Sequence, residues 1–396
     1  MQTIFRLLLI CLLCWGPSVV VAAKTRATTN ANNVTEYNLN NGLKVLFKVD
    51  KRSPAAFVSL WYNVGSADEV NGKTGLAHLL EHLLFRGSKK FPGDSYSQKI
   101  AAAGGEFNAF TSSDQTVYYA SVPSKSIKLV LQLEADRMRN INFSNKDFDH
   151  EQQVVIEEWR MRIADNPHGL ARTRFYAAAH LSNPYHHPVI GWLGDIKTET
   201  AQDARAFYKK YYTPQNATLI IVGNFKPRQL KKTINRYFGR IKKSKLPQRA
   251  QKKEQKNLGL REVLLHGKVS QPWIKISFNT DNYANLKNKA NAYATMVLAG
   301  VLKSGNSGLL PEQLQHKHNL AAHISVGYDP FTRYNTLFSI TATGLPQVKP
   351  YTLRHLIWKQ LKSLRDKPVP DSTLQSIKIQ VLAAHVFAQD SLRAQA

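Results

Sequence analysis

His78-Leu79-Leu80-Glu81-His82-Leu83-Leu84 is the stretch from which the rest of this 396-residue chain is read. Two histidines four apart fall one turn apart on the same face of a helix, and Glu81 projects from that face too. Two neutral imidazoles so placed form a two-point Zn²⁺ site, and a free carboxylate beside them can take a proton from water at the metal. The order His-x-x-Glu-His is the inverted zincin motif, distinct from His-Glu-x-x-His. A catalytic zinc takes a third protein ligand. Downstream, Glu151-Gln-Gln-Val-Val-Ile-Glu157-Glu158-Trp159-Arg160-Met161-Arg162 reads as a helix. Glu151 and Glu158 share one stripe of it, two turns apart, with Val154 and Val155 between them. The valines predict that the stripe faces inward, and a buried carboxylate needs a partner. Glu158 is thereby assigned as the third ligand and Glu151 as the group that orients a ligand, while Glu157 points about 100° away. The same spacing also suits a helix whose glutamates pair with Arg160 or Arg162.

Met1 to about Ala23 reads as a secretory signal: Arg6, the apolar run Leu7 to Leu13, and the small residues Val21-Ala22-Ala23. Continued through Val21 across Pro17, the run would instead be an uncleaved anchor. Both cysteines, Cys11 and Cys14, lie in this segment, so the mature chain has no disulfide. No second apolar run approaches membrane-spanning length. The net charge is +27. Nucleic-acid binding does not follow from it, because export removes a protein from most nucleic acid and the basic residues are dispersed through amphipathic segments. The surplus reads as a solvated basic surface, to which attraction to an anionic membrane or to acidic peptides can be added.

Hydropathy alternates between the two periods. Residues 42–49, 56–63, 117–122 and 217–222 read as strands. Residues 74–85, 127–139 and 201–211 read as helices, and 145–179 as a long helical region interrupted near Pro167. The polar stretch Lys245 to Lys256 reads as a linker. The pattern then restarts: Pro272-Trp-Ile-Lys-Ile-Ser277 echoes Pro54-Ala-Ala-Phe-Val-Ser59, an offset of 218. That offset sets Met296, Ala299 and Gly300 opposite His78, Glu81 and His82, and Ser376 opposite Glu158. The second half therefore repeats the architecture without the metal site. The expected division is a signal at 1–23, a metal-binding half at 24–245, a linker at 246–257 and a second half at 258–396. The second half is expected to be incomplete, since counterparts of residues 179–245 are missing. An uncovered sheet edge would follow, left either by a truncated record or for a partner to cover.

Several motifs occur together: Gly75 to Gly87, Gly104-Gly105-Glu-Phe-Asn108-Ala109-Phe-Thr111 through Tyr119, Glu151 to Met161, Asn183-Pro184-Tyr185, and Tyr211-Tyr212-Thr-Pro214-Gln-Asn216. In that order they resemble the pitrilysin-type (inverzincin) zinc metallopeptidases, in particular their short bacterial, processing-peptidase-like branch. The resemblance implies an α+β fold of two homologous α/β-sandwich halves closing like a clam on peptide substrate. It also implies one Zn²⁺ on His78, His82 and Glu158, with Glu81 as general base in peptide hydrolysis. Asn108, Ala109 and Phe110 correspond to an edge strand that substrate extends, with Phe85 or Phe110 lining side-chain pockets. Complete members carry an Arg and a Tyr seven apart in the second half; Gln315 and Ala322 stand there in this chain. A homologous partner subunit bearing that pair is the implied remedy, in a homo- or heterodimer, and a non-hydrolysing binding subunit is the rival reading. His180, His186, His187, His316 and His318 lack a spacing that converges on one point with carboxylates, and read as surface residues.

Overall fold

A computed structural model of the chain describes residues 28–30, 33–249, 252–256, 259–303 and 308–396; the expected signal at 1–23 lies outside them. The first half builds one mixed sheet. Its strands are β1 (Thr28–Thr29), β2 (Val34–Asn38), β3 (Lys44–Val49), β4 (Ala55–Tyr62), β5 (Glu106–Thr111), β6 (Thr116–Pro123) and β7 (Ala217–Gly223), in the spatial order β1-β2-β3-β7-β4-β6-β5. The β3–β7 pair is parallel. β7 enters last yet lies in the middle, and its run Ala217-Thr-Leu-Ile-Ile-Val is mostly buried, as suits a central strand. β5 closes the other end of the sheet and alternates, with Glu106, Asn108 and Phe110 exposed and Phe107, Ala109 and Thr111 turned in.

The helices of this half are α1 (Leu76–Leu83), α2 (Ser95–Ala102), α3 (Ile127–Arg139), α4 (Asn145–Trp159), α5 (Pro167–Ala179), α6 (Leu193–Thr198), α7 (Ala201–Tyr211) and α8 (Pro227–Phe238). α4 and α5 are the two parts of the region read as interrupted near Pro167, which sits at the first position of α5, where its missing N–H costs nothing. Leu60, Tyr62, Leu79, Leu83, Leu131 and Ile234 are fully buried in the core between sheet and helices. Each such side chain contributes about 1.5–3 kcal/mol by its burial, so α1 is held by the side opposite its motif residues.

The second half repeats this plan. Its strands are β8 (Trp273–Thr280), β9 (Ala321–Gly327) and β10 (Thr336–Gly344), in the order β8-β10-β9, which matches β4-β6-β5. Its helices are α9 (Ala290–Lys303), α10 (Leu309–Pro311), α11 (Pro350–Asp366), α12 (Asp371–Ala388) and α13 (Leu392–Gln395). The expected pair of related α+β halves is therefore what the chain forms. The constant offset of 218 does not survive: α4 begins at Asn145 and α12 at Asp371, so the offset has grown to 226. Ala384, not Ser376, then stands opposite Glu158, and Ile377 opposite Glu151. A Cβ added to Gly300 would lie 2.7 Å from the Ile377 side chain, so a close apolar contact replaces the His82–Glu151 pair of the first half. Among the described residues, β8 has no strand partner on the side where β4 pairs with β7.

Side chains join the halves. Arg333 reaches from the second half to Asp68 at 2.8 Å and to the Asp114 carbonyl at 2.6 Å. Asn183 Nδ2 donates to the Asn335 carbonyl at 2.6 Å. The described parts of the expected linker are anchored too. Arg249 meets Asp68 at 2.6 Å, and the Glu254 carboxylate accepts from the amides of Leu181 (2.9 Å) and Asn183 (3.2 Å). Arg333→Ala removes one of the two cations on the buried Asp68. It should lower stability by roughly 2–4 kcal/mol while leaving the far-ultraviolet dichroism spectrum intact. A melting temperature equal to wild type would show that the remaining contacts hold the halves together without Arg333.

Candidate metal centre

α1 starts at Gly75, whose φ of +107° glycine tolerates best. A Cβ there would stand 2.5 Å from the Ile190 carbonyl oxygen, so the helix start and the following loop cross with no room for a side chain. Glu69 accepts from the amides of Gly75 (2.9 Å) and Ala77 (2.7 Å), placing a carboxylate at the positive end of the helix. α4 starts from a capping box, with Ser144 Oγ accepting from the Asp147 amide at 3.1 Å and Asp147 accepting from the Ser144 amide at 2.7 Å. With both starts fixed, the motif face of α1 meets one stripe of α4. That stripe is Phe148, Glu151, Val155 and Glu158, at the helical spacings of three and four. Val154, expected on it, lies on its flank and is 39% exposed beside the cleft.

The stripe brings three donors together. Glu158 Oε2 lies 3.4 Å from His82 Nε2 and 3.7 Å from His78 Nε2, and one donor atom from each residue lies within 4.8 Å of the others. Tetrahedral zinc with bonds of ~2.0–2.1 Å sets adjacent ligand atoms about 3.3 Å apart, which the two Glu158–imidazole separations already approach. Glu158 Oε2 is buried, with the two ring nitrogens as its neighbours; the charge on His82 balances it without a metal, and a bound cation would take over that role. The other oxygen of Glu158 pairs with Arg162 at 2.7 Å. Both readings of the helix thus hold at once, one per oxygen, and Glu157 pairs with Arg160 at 2.6 Å away from the site.

Burial, helped by the charge of His82, depresses the pKa of His78 to about 4 and keeps it in the neutral form a metal binds. Burial opposes a charge on His82 as well, but the carboxylates of Glu151 and Glu158 outweigh it and lift its pKa to about 9. Glu151 Oε2 lies 3.2 Å from His82 Nδ1, the ring nitrogen turned away from Glu158. Arg86 Nε donates to Glu151 Oε1 at 2.5 Å. Glu81, three residues after His78 and next to His82 on α1, is 9% exposed and accepts from Thr111 Oγ1 of β5 at 2.5 Å. Burial raises its pKa, with the threonine pulling the other way.

These groups open into a cleft of about 940 Å³. Asn108, Ala109, Phe110 and Thr111 of β5 form one wall; Val154, Met161, Val189 and Ile190 supply apolar surface. Among the described residues, all of the lining belongs to the first half. Phe85, expected among the substrate contacts, is turned the other way. It packs on Phe107 at 5.4 Å between ring centres, on the inward face of β5, and does not border the cleft. Gln315 and Ala322 lie against each other, Gln315 Nε2 donating to the Ala322 carbonyl at 3.1 Å, and neither borders the cleft. Two of the supposed surface histidines are buried. His180 lies 3.2 Å from Glu254, and His187 is enclosed near Glu69. Glu69, Arg86 and Thr111 were given no role from the sequence. An acid shortly before a helix start signals the first; the other two depend on contacts no spacing reveals.

A mixed α+β pair of halves with two imidazoles and a carboxylate converging in a cleft defines a metallopeptidase-like protein. The first half, residues 44–191, matches the model of the insulinase family, peptidase family M16, and residues 198–381 match that of the peptidase M16 inactive domain. The chain belongs to the M16 family. It is 29% identical over 365 residues to the zinc protease PqqE of Helicobacter pylori, covering 91% of this chain and 81% of that one. It is 30% identical over 311 residues to an uncharacterized zinc protease of Mycobacterium tuberculosis, covering 78% and 70%. In structure it resembles a protease from Helicobacter pylori, with a TM-score of 0.86 and 28% identity over 93% of this chain and 87% of that one. The periplasmic protease PqqL of Escherichia coli shares the fold, with a TM-score of 0.74 and 19% identity over 94% of this chain and 42% of that one.

Behind the metal helix, Glu199 is buried near Glu69, and neither of its carboxyl oxygens has a hydrogen-bond partner. Burial, then the charge of Glu69, raises its pKa from 4.5 to about 9. The folded state therefore favours the proton. The associated stability is fully present below about pH 4.5 and is lost as pH rises through about 9. Glu199→Gln should match wild type in thermal stability near pH 4 and exceed it by at least ~1 kcal/mol near pH 8. A difference that does not change with pH would contradict this assignment.

Proposed function

We propose that this protein is an exported zinc endopeptidase acting on peptides or unfolded polypeptide segments. The observation that carries the reading is the convergence of His78, His82 and Glu158 in a cleft that also presents the carboxylate of Glu81 and the edge strand β5. His78, His82 and Glu158 would hold one zinc ion, a Lewis acid that acidifies water and polarises a peptide carbonyl. Glu151, braced by Arg86, fixes the ring of His82 through Nδ1. Glu81 takes the proton of the attacking water and returns it to the departing amine. The outer edge of β5, without a strand partner among the described residues, offers main-chain groups to an extended peptide where Asn108, Ala109 and Phe110 border the cleft. Such main-chain contacts favour unfolded segments over a defined sequence. The N-terminal segment read as a signal supports export.

A partner-dependent form of the same activity is the second reading. Among the described residues, none of the second half borders the cleft, and Gln315 and Ala322 stand where an Arg and a Tyr are implied. A homologous subunit carrying that pair would complete the site.

Two substitutions test these roles. Glu81→Gln should keep zinc at one ion per chain while peptide cleavage falls by at least about a thousandfold; retained cleavage in the zinc-loaded variant refutes the base. Thr111→Val, which frees Glu81 to turn, should lower kcat about tenfold with KM little changed, and Thr111→Ser should restore it. An equal loss in both threonine variants would assign Thr111 to packing alone.

A further inference from the structure

The cleft leaves one conspicuous feature of the chain unused. From Lys226 to Lys245 there are nine basic residues and no acidic one in twenty positions. On α8, Leu230, Ile234 and Phe238 are buried in the core. Arg228, Lys232 and Arg236 stand on the opposite side of the helix and are exposed, and Arg240, Lys242 and Lys243 continue the exposed charge beyond it. The exposed acids that form ion pairs do so elsewhere, with Lys44, Arg52, Arg160, Arg354 and Arg365. Dispersed charge is the ordinary surface of a basic protein; a helix face carrying one sign only, with no acidic partner among the described residues, is not.

The surface is also free of other recognition chemistry. No large apolar residue between 226 and 245 is exposed, so the face has neither rings for stacking bases nor wedges for insertion. It is the outer side of a helix that rests on the sheet, not a groove that would follow a strand of nucleic acid. Lys231 sits over the rings of Tyr37 (5.3 Å) and Phe47 (5.6 Å) of β2 and β3. Asn41 holds the end of α8 through the Phe238 carbonyl at 2.8 Å. α8 thus covers the β2–β3 side of the sheet, and β5 with the metal cleft lies at the opposite edge.

We propose that the outer face of α8 with its C-terminal extension is a docking surface for a bilayer rich in anionic phospholipid. The attraction is electrostatic, since each basic group near such a surface adds favourable energy and no apolar group enters the bilayer. Docking is therefore reversible and salt-sensitive, and it involves the side of the sheet opposite β5. The inference is independent of the peptidase reading. An inactive chain would bind equally well.

The test is co-sedimentation of the full chain with vesicles of phosphatidylcholine and phosphatidylglycerol at about 3:1, against pure phosphatidylcholine. Binding is compared at salt giving Debye lengths of about 10 Å and about 3 Å. The expected result is binding to the anionic vesicles alone, lost at the higher salt. Arg228→Gln, Lys232→Gln, Arg236→Gln, Lys242→Gln and Lys243→Gln combined should weaken it by more than tenfold, each removed charge accounting for up to about fivefold. The melting temperature, which exposed substitutions should leave unchanged, checks the fold. Equal binding to neutral vesicles, no binding to anionic ones, or undiminished binding by the five-fold variant would overturn the proposal. So would tighter binding to a duplex DNA at matched phosphate concentration, which would make nucleic acid the partner.

Discussion

A carboxylate oxygen without a hydrogen bond, enclosed between two imidazoles, is the constraint on which this structure turns. Glu158 Oε2 occupies that position. An anion so placed is costly unless a cation shares its enclosure; protonated His82 is that cation until a metal displaces its proton. A divalent ion satisfies the oxygen and both ring nitrogens together. The scaffold is built to keep those three atoms converging. Glu69 and the crossing at Gly75 fix where α1 starts, the Ser144 cap fixes where α4 starts, and Arg162 and Glu151 each hold one ligand from behind.

The second half contributes through support, not chemistry. Gly300 and Ile377 pack where His82 and Glu151 meet in the first half, so the same helix crossing is kept and its polar contents are replaced. Arg333 then reaches back to Asp68 and Asp114. Those residues flank the two segments that position the site. Asp68 precedes Glu69, the cap of α1, and Asp114 lies in the turn that follows Thr111. The amides of Ser66 and Ala67 bond the carbonyls of Ser112 (3.2 Å) and Ser113 (2.8 Å), tying the two segments together. A side chain from the second half thereby braces both the helix carrying His78 and the strand carrying Thr111.

Much of this was legible in the sequence because it is local. The motif face of α1 and the Glu151–Glu158 stripe follow from helical spacing, and α3 and α7 occupy the ranges that hydropathy gives them. β5 was placed at the sheet edge by resemblance alone, since Glu106 to Thr111 has no clean apolar alternation. What stayed hidden is long-range. His180 is buried because Glu254, seventy-four positions on, folds back over it. Phe85 turns to the core because Phe107 offers a ring there. The offset between the halves drifts because insertions accumulate in loops, so a register read at β4 is wrong by eight residues at α12. The basic face of α8 was diluted in a net charge that composition spreads over the whole chain.

X-ray absorption at the zinc edge of the loaded protein tests the central claim most directly. Two imidazoles and a carboxylate should appear as nitrogen and oxygen neighbours at ~2.0–2.1 Å, with the multiple-scattering signature of two rings. Glu158→Ala should remove one light-atom neighbour, and His78→Ala one ring. A spectrum unchanged by both substitutions would place the metal elsewhere and contradict the account.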